Sequence, residues 1–303
     1  MTRALRIGTR GSPLALWQAR AVAGLLERQG RASEICVIKT AGDRLQEAPL
    51  SDAGGKGLFV KDIEDALLGG AVDLAVHSAK DMSVALPDGL GVAAVLPRED
   101  SRDALVLPAG LPSLRAAPAI GTGSVRRSAQ LRGRHPDARF LPIRGNVDTR
   151  LRKLDGGEYD ALVLAAAGLK RLGHGARISA MISHDDCVPA PGQGIVAVET
   201  RLDDPDVRGV LQAINDAGAA ACFEAERAVV ATLGGGCRLP LGAVAVHAGS
   251  RLEMQAIVTS LDGTRQIRRR AEGDASRPAE LGARLAADLA GAGAIAILDE
   301  VRY

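Results

Sequence analysis

The chain of 303 residues is 47% hydrophobic and 24% charged, and it carries a formal net charge of +2 at pH 7. This length allows two or three domains with separate cores, and the composition is that of an ordinary soluble globular protein. Aromatic residues make up only 2% of the chain, which argues against the stacking platforms of single-stranded nucleic-acid binding. The sequence has no signal-peptide-like run and no stretch of about 20 apolar residues, so we expect a cytoplasmic protein without membrane or nucleic-acid partners.

The N-terminal third of the chain alternates between strand-like and helix-like patterns, which indicates an α/β unit. Ser12 and Pro13 predict a helix that runs to about residue 29, because serine is a good N-cap and proline is favoured in the first turn. A second predicted helix has an apolar face formed by Phe59, Ile63 and Leu67. Strands are predicted at residues 5–8, 34–39, 72–76 and 91–96.

A second α/β unit is predicted after a pause in the pattern at residues 96–100. Its helices are expected to begin near Ser124 and Asn146, and its strands are expected near residues 104–107, 119–121, 139–143 and 160–165. A second pause precedes an apolar strand at 195–198, which we expect to return to the first unit. The two crossings predict two lobes joined by a double hinge, with largely parallel strand pairing.

The pattern changes again from about residue 217, where a small α+β domain is predicted. A helical segment is followed by three glycines, and Asp262-Gly263 then joins two alternating strands at 252–260 and 264–271 as a hairpin. A final helix is expected at 278–290. The predicted domains are residues 1–97 with 194–214, residues 98–193, and residues 215–303.

A basic segment lies between Arg126 and Lys153, where eight arginines and one lysine are accompanied by only two aspartates. A solvated basic surface is the ordinary interpretation of such a run. The placement favours a binding site instead, because Arg126 and Arg127 follow a strand and begin a helix. Arg144 and Arg150 flank the next strand-to-helix turn. Arginine in such places binds carboxylates through paired hydrogen bonds, so the segment predicts a small polyanionic ligand, with nucleic acid as the less favoured alternative.

Two further segments carry candidate chemistry. The GGKG run at residues 54–57 lacks the spacing and the Ser/Thr of a phosphate-binding loop, so a flexible loop that carries Lys56 over a cleft is the better interpretation.

Lys80 and Asp81 follow the strand predicted at 72–76. Such a pair is usually a simple ion pair, but at a strand terminus Asp81 is a candidate for stabilising a cationic intermediate or for moving protons.

The four cysteines differ in context. Cys36 and Cys222 fall in a predicted strand and a predicted helix, where burial as small apolar groups is expected. Cys187 matches no common zinc-ligand spacing, and we expect no metal. Cys237 follows three glycines and precedes Arg238, which favours the reactive thiolate. Because no histidine stands in a recognisable dyad with it, we interpret Cys237 as an attachment point and not as a turnover nucleophile.

Seven motifs, in order and with matching spacing, resemble those of the hydroxymethylbilane synthases, also called porphobilinogen deaminases. They are RGSPLALWQ at 10–18, GGKGLF at 54–59, HSAKDM at 77–82, LPIRGNVDTRL at 141–151, AGLKRLG at 167–173, PAPGQG at 189–194 and LGGGC at 233–237. The resemblance runs from about residue 5 to the C-terminus. It implies two lobes like a type II periplasmic binding protein, a small third domain, and a monomer.

The resemblance also implies roles for individual residues. Cys237 would carry a dipyrromethane cofactor in thioether linkage, and Asp81 would be the catalytic carboxylate. The cofactor's carboxylates would be held by Lys80, Thr122, Ser124, Arg126 and Arg127. The incoming porphobilinogen and the growing chain would be bound by Arg10, Ser12, Gln18, Arg144, Arg150, Arg171 and Gln193. An active-site loop would include Lys56 and Phe59.

The implied reaction deaminates porphobilinogen, joins four of these pyrroles head to tail on the cofactor, and releases linear hydroxymethylbilane by hydrolysis. Every added ring brings two carboxylates, which accounts for the many arginines. The main alternative is a two-lobed solute-binding protein without catalysis, which leaves the Gly-Gly-Cys segment unexplained. A nucleotide-dependent transferase that uses Lys56 is the second alternative, and the missing Ser/Thr argues against it.

Overall fold

A computed structural model of the chain describes residues 3–40, 42, 60–234 and 239–302. The chain divides into two compact units, of which the first comprises residues 1–98 with 195–220 and the second comprises residues 99–194 with 221–303. The chain therefore passes from the first unit to the second after Arg98, returns after Gly194, and leaves again after Ala220.

The described strands fall into three sheets. They are β1 (Leu5–Thr9), β2 (Ser33–Val37), β3 (Leu74–Ser78), β4 (Leu90–Val95), β5 (Asp103–Val106), β6 (Ala119–Gly121), β7 (Arg139–Leu141), β8 (Ala161–Ala165), β9 (Ala180–Ile182), β10 (Val196–Arg201), β11 (Leu241–Ala248), β12 (Arg251–Thr259) and β13 (Gln266–Asp274). The sheet orders are β2-β1-β3-β10-β4 in the first unit, and β7-β6-β8-β5-β9 and β11-β12-β13 in the second.

The described helices connect and cover these sheets. They are α1 (Pro13–Arg28), α2 (Lys61–Leu68), α3 (Val125–Arg132), α4 (Val147–Asp155), α5 (Ala166–Arg171), α6 (Pro205–Gln212), α7 (Ala217–Leu233), α8 (Pro278–Gly291) and α9 (Ala294–Arg302). Short 3₁₀ turns lie at Ala79–Asp81 and Gly175–Arg177. Within the described residues no single helix is long and apolar enough to span a membrane. Helix α8 and residues 294–301 together reach that length and apolar content, but the chain bends by 84° between them.

In the first unit, helix α1 begins where the sequence predicts. Ser12 caps it by accepting a hydrogen bond from the backbone N–H of Ala15 at 3.3 Å, and Pro13 occupies the first turn. The helix buries one apolar face against the sheet, so that Ile7, Leu26, Leu74, Val198 and Leu211 lie in a common core.

The expectation of largely parallel pairing is wrong for half of the strand pairs in the two five-stranded sheets. Strands β1–β2, β1–β3, β6–β7 and β6–β8 are parallel, whereas β10 is antiparallel to β3 and β4, and β5 is antiparallel to β8 and β9. The reversed strands, β5 and β10, are each the first strand after the chain crosses into a unit. Such a strand enters its sheet from the opposite end. Because β5 and β10 each lie between two neighbouring strands, each of them forms two antiparallel pairs.

The C-terminal sheet is joined to the rest of the second unit at one end of β11. The Ala243 N–H donates to the Pro189 carbonyl at 3.0 Å, and Val188, Val244 and Ile257 form a small apolar cluster. The predicted hairpin is confirmed, because Asp262 and Gly263 connect β12 to β13, with φ +78° at the glycine. Strands β9 and β11 and the short helices α5, α6 and α9 were not predicted from the sequence.

A buried carboxylate, that of Glu226, forms a second connection between the C-terminal sheet and the rest of the second unit. Glu226 on α7 is 0% exposed and accepts hydrogen bonds from the backbone N–H of Gly192 at 2.6 Å and of Ala245 at 2.8 Å. One side chain therefore links the segment before β10, helix α7 and strand β11. Hydrogen bonds from backbone N–H groups to a buried carboxylate are stronger than neutral ones.

We expect Glu226→Gln to lower the free energy of unfolding by about 2 kcal/mol, because one carboxylate oxygen is replaced by an NH₂ group that faces a backbone donor. Urea unfolding followed by circular dichroism measures the change. The matched control is Glu224→Gln, an exposed position on the same helix, for which no shift in the unfolding midpoint is expected. Equal midpoints for the two variants would show that the Glu226 contacts contribute nothing to stability.

Candidate active site

In the first unit, predicted site residues gather at the carboxyl ends of two neighbouring parallel strands. Arg10 and Ser12 follow β1, and Lys80 and Asp81 follow β3 in the 3₁₀ turn Ala79–Asp81. Carboxyl ends of parallel strands share one edge of a sheet, which is where open α/β folds bind ligands. Within this unit the structure therefore brings the residues around β1 and the Lys80–Asp81 turn to the same edge.

Gln18 ties the two strand ends together. Its buried side chain on α1 donates from Nε2 to the Ser78 hydroxyl at 2.8 Å. Ser78 is the last residue of β3, immediately before the turn that carries Lys80 and the exposed Asp81. Gln18 therefore fixes the strand end from which the candidate catalytic carboxylate is presented.

In the second unit, the loop from β6 to α3 holds Thr122, Ser124, Arg126 and Arg127. Ser124 is the N-cap of α3, and its hydroxyl accepts a long, 3.5 Å hydrogen bond from the Arg127 N–H. The Thr122 hydroxyl accepts from the Ser124 N–H at 3.2 Å. A Cβ at Gly123 would lie 2.9 Å from the Ile143 carbonyl, so the loop packs too closely on its neighbour for a larger residue.

Arg126 and Arg127 are both buried and both bind Asp103, the first residue of β5, which is 0% exposed. Arg126 Nη1 lies 2.8 Å from Asp103 Oδ2, and Arg127 Nε lies 2.9 Å from Oδ1. Burial alone raises the pKa of the Asp103 carboxyl, but the charges of Arg126 and Arg127 outweigh it and hold that pKa well below its usual range. The carboxylate is therefore ionised and clamps both guanidinium groups.

Further contacts complete this network. Arg126 Nη1 donates to the Val188 carbonyl at 2.8 Å, and Arg127 Nη1 donates to the Val163 carbonyl at 3.1 Å. Gln193 is fully buried, donates from Nε2 to the Ser101 carbonyl at 2.7 Å and to Asp103 at 2.8 Å, and accepts from Arg127 Nη2 at 3.4 Å. Both amide hydrogens of Gln193 are used, so this residue positions Arg127 and Asp103.

Cys187 belongs to the same network. Its Sγ lies 3.2 Å from Arg126 Nη1 and 3.4 Å from Asp103 Oδ2. Burial raises the pKa of the thiol to about 12, although Arg126 opposes the shift. Cys187 is therefore a protonated structural thiol. In the described part of the chain, no group of three or more His, Cys, Asp or Glu side chains is arranged to hold a metal ion.

The remaining predicted arginines follow β7 and β8. Arg144 is exposed in the loop before α4, and Arg150 on α4 donates from Nε to the Gly145 carbonyl at 2.8 Å. Arg171, the last residue of α5, donates from Nη2 to the Gly194 carbonyl at 2.7 Å. Burial lowers the pKa of Arg171. Because β6, β7 and β8 are parallel neighbours, all these arginines lie at one edge of the second sheet.

Cys237, Lys56 and Phe59 lie outside the described residues. The elements that flank Cys237 are described: α7 ends at Leu233, and β11 begins at Leu241. Both flanks from Ala221 onward belong to the second unit, which also contains Arg126 and Arg127.

Taken together, an edge lined with arginines, a carboxylate at a strand end and a separate α+β region define an anion-binding α/β protein. Two family models match the chain. Residues 5–209 match the dipyrromethane cofactor binding domain of porphobilinogen deaminase, and residues 220–291 match the C-terminal domain of the same enzyme.

Curated relatives named porphobilinogen deaminase match over nearly the whole chain. One from Acidithiobacillus ferrooxidans is 47% identical and covers 100% of this chain and 99% of its own. One from Thiobacillus denitrificans is 46% identical, with coverage of 97% and 98%. The chain belongs to the porphobilinogen deaminase family.

Solved structures with detectable likeness include a periplasmic substrate-binding protein of an ABC transporter from Coxiella burnetii. It is 13% identical with a TM-score of 0.43, and the match covers 69% of this chain and 91% of that chain. A periplasmic His/Glu/Gln/Arg/opine family-binding protein from Silicibacter pomeroyi is 16% identical with a TM-score of 0.40, with coverage of 70% and 89%. Values this low carry no inference about function.

The family confirms the transferase function and the dipyrromethane cofactor predicted from the sequence motifs. It does not favour the solute-binding alternative. The predicted α/β fold class with a small C-terminal α+β part is also confirmed. The roles of individual residues are a separate question.

The sequence analysis missed Asp103, the residue that organises the arginine pair. A signal was present, because an aspartate opens an otherwise apolar strand, Asp-Ala-Leu-Val. A charge at a buried strand position is rare unless it is paired. The partner of this charge could not be identified from spacing, since Arg126 lies 23 residues further along the chain.

We expect Asp103→Asn to destabilise the second unit by about 3 kcal/mol or more, because two buried guanidinium groups lose their counter-charge. Urea unfolding at neutral pH measures this loss, and Asp137→Asn, an exposed position in the same unit, is the matched control.

The pKa of Asp103 is lowered by folding, so its contribution to stability is complete above about pH 4 and is lost as the pH falls through the folded-state value. The difference between wild type and Asp103→Asn should therefore shrink below about pH 4, and a constant difference would contradict the ion-pair explanation.

Proposed function

We propose that this chain is a hydroxymethylbilane synthase that deaminates porphobilinogen and joins four of these pyrroles into a linear tetrapyrrole. The observation that carries the proposal is the row of arginines at the carboxyl ends of β6, β7 and β8. Every pyrrole of the substrate brings an acetate and a propionate, so a growing chain needs many cationic partners.

The donor set of the second unit fits the carboxylates of a dipyrromethane. Arg126 Nε is buried and has no hydrogen-bond acceptor among the described residues, so the chain leaves a charged donor for an anionic group. Arg126, Arg127, Thr122 and Ser124 would hold the cofactor's carboxylates, together with Lys80 of the first unit. When attached to Cys237, the dipyrromethane supplies the pyrrole carbon from which the product chain grows.

Asp81 is the catalytic carboxylate in this proposal. Its side chain is exposed, it follows a buried strand, and Gln18 fixes that strand end. A carboxylate held in this way stabilises the positive charge that develops when porphobilinogen loses ammonia, and it can accept a hydrogen bond from a pyrrole N–H. When the free α-carbon of the terminal pyrrole attacks and the new carbon–carbon bond forms, that carbon loses its proton, and the Asp81 carboxylate is the candidate to accept it.

Substrate and product carboxylates would be bound by Arg10, Ser12, Arg144, Arg150 and Arg171. Gln18 and Gln193, which the sequence motifs suggest as substrate ligands, are buried and hold Ser78 and Arg127 instead. We therefore assign them positioning roles. Lys56 and Phe59 keep their proposed place in an active-site loop.

Further features of the proposal concern the whole chain. We propose three domains, residues 1–97 with 194–214, residues 98–193 and residues 215–303, which is supported by three separate sheets and by the boundary between the two matching family models. We also propose a cytoplasmic monomer whose partner is porphobilinogen and which binds neither nucleic acid nor membranes. The low aromatic content of 2% supports the absence of nucleic-acid binding.

The attachment of the cofactor is tested by intact mass spectrometry of freshly purified active protein. We expect a mass above that of the 31.3 kDa polypeptide by one dipyrromethane unit, and we expect Cys237→Ser to show the bare polypeptide mass and no activity. Cys36→Ser is the control and should keep the added mass. Active wild-type protein with only the bare polypeptide mass would refute the attachment at Cys237.

The role of Asp81 is tested by Asp81→Asn, an isosteric change that removes the charge. We expect kcat to fall by roughly 100-fold to 10,000-fold, while the added cofactor mass is retained, because the carboxylate acts on developing charge. Asp88→Asn, at an exposed position beyond the same turn, should leave kcat unchanged. Full activity in Asp81→Asn would exclude Asp81 as the catalytic carboxylate.

A further inference from the structure

Three titratable side chains are enclosed in the interior of the first unit. Glu64 on α2, His77 on β3 and Glu199 on β10 are 5%, 5% and 0% exposed. His77 Nε2 lies 3.1 Å from Glu199 Oε2, but the two groups are not aligned for a hydrogen bond. His77 Nε2, both Glu199 oxygens and Glu64 Oε1 have no hydrogen-bond partner among the described residues. Buried polar atoms are nearly always paired, so this arrangement requires an explanation.

The sheet register places two of these groups side by side. His77 is opposite Ala197 across the antiparallel β3–β10 pair, and Glu199 is opposite Ala75. His77 and Glu199 are therefore diagonal neighbours on one face of the sheet. Helix α2 packs on this sheet and carries Glu64 on its buried face with Ile63 and Leu67.

Burial raises the pKa of Glu64, the charge of Glu199 raises it further, and His77 acts in the opposite direction. On its own helix, Glu64 is also near Asp65 and Lys61, which form an exposed ion pair with each other.

Arginines on two of the strands that pack around the cluster bind other partners. Arg6 on β1 binds Asp73, and Arg201 on β10 binds Asp204 and backbone carbonyls. Strand β4 carries no titratable side chain. Two buried carboxyls and one imidazole therefore share the interior of this unit, and His77 lies 3.1 Å from one of the carboxyls, that of Glu199. The arrangement with the least uncompensated charge has the other carboxyl protonated.

The cluster lies directly behind the turn that carries Asp81. His77 is the penultimate residue of β3. On one face of the sheet His77 faces Glu199, and on the other face the hydroxyl of Ser78 accepts a hydrogen bond from Gln18, so the strand end has a contact on each face. The Ala79 N–H donates to the Ile195 carbonyl at 3.1 Å. Asp81 follows two residues later, so the position of its carboxylate depends on how this strand end is held.

We propose that Glu64, His77 and Glu199 form a proton-sharing cluster, in which Glu64 is a neutral carboxylic acid and Glu199 is the carboxylate that faces His77, and that this cluster positions the Asp81 turn. The second half of the proposal rests on the catalytic role proposed for Asp81. The three residues are positioning residues, since none of them touches substrate.

Glu64→Gln tests the protonation state, because glutamine mimics a neutral acid. Burial raises the folded-state pKa of Glu64 above its ordinary value, so at a pH between the unfolded-state and folded-state pKa values the native wild type holds a proton that the unfolded chain has released. Wild-type stability must then fall as the pH rises from 4.5 through the folded-state value. We expect the urea midpoint to drop more for wild type than for Glu64→Gln between about pH 5 and about pH 8. Equal drops would overturn the proposal, and Glu27→Gln, at an exposed position on α1, should behave as wild type.

Glu199→Gln tests the positioning role. We expect kcat to fall about 10-fold with KM changed less than about twofold, since the turn is displaced while the arginines are untouched. Glu27→Gln, at an exposed position on α1, should keep kcat within about twofold of wild type at neutral pH. If Glu199→Gln loses only stability and keeps kcat, the cluster is merely structural and the positioning role is refuted.

A measurement on unmodified protein covers the case in which a variant does not fold. Infrared spectroscopy of wild type with ¹³C-labelled glutamate should show the C=O band of a protonated glutamic acid at neutral pH, and its absence would overturn the proposal. This band and the pH dependence of stability do not involve Asp81. Full activity in Asp81→Asn would therefore refute the catalytic role proposed for Asp81 without affecting the proton-sharing cluster.

Discussion

The ion pairs between Asp103 and the two arginines of α3 are the interaction on which the second unit depends. Removing three charges from water is expensive, and the attraction between them offsets this cost only when the geometry is good and the remaining donors are bound. The structure meets that condition with backbone carbonyls of Val163 and Val188 and with the side chain of Gln193. Because these partners come from β5, β8 and the segment before β10, the network fixes the arginines of α3 relative to three other parts of the fold at once.

This clamp has a functional consequence. Flexible surface arginines lose side-chain entropy when they bind an anion, whereas arginines already held by Asp103 have lost it during folding. A site that binds successive carboxylates along a growing chain benefits from donors that do not reorganise at every addition. The stability of the second unit and the readiness of its binding groups therefore have a common origin.

In the first unit, other contacts hold the strand end that precedes the Asp81 turn. A neutral hydrogen bond from Gln18 and the buried cluster around His77 hold the end of β3. The C-terminal sheet is fixed to the second unit by Glu226 and by the contact of β11 with Pro189. The two elements that flank Cys237 in the sequence, α7 and β11, are therefore anchored to each other and to the segment before β10 through Glu226.

The sequence by itself determined the helix starts at Ser12, Ser124 and Asn146, the Asp262-Gly263 hairpin, and the family, because caps, turns and motifs are local signals. It also placed the arginines and Asp81 at the ends of strands. Only the tertiary structure decided which strands run antiparallel, since β5 and β10 owe their direction to chain crossings and not to their own residues. It alone identified Asp103 and the Glu64–His77–Glu199 cluster. Asp103 lies 23 residues from Arg126, and His77 lies 122 residues from Glu199, so the partner of each buried group is decided by the packing of distant segments.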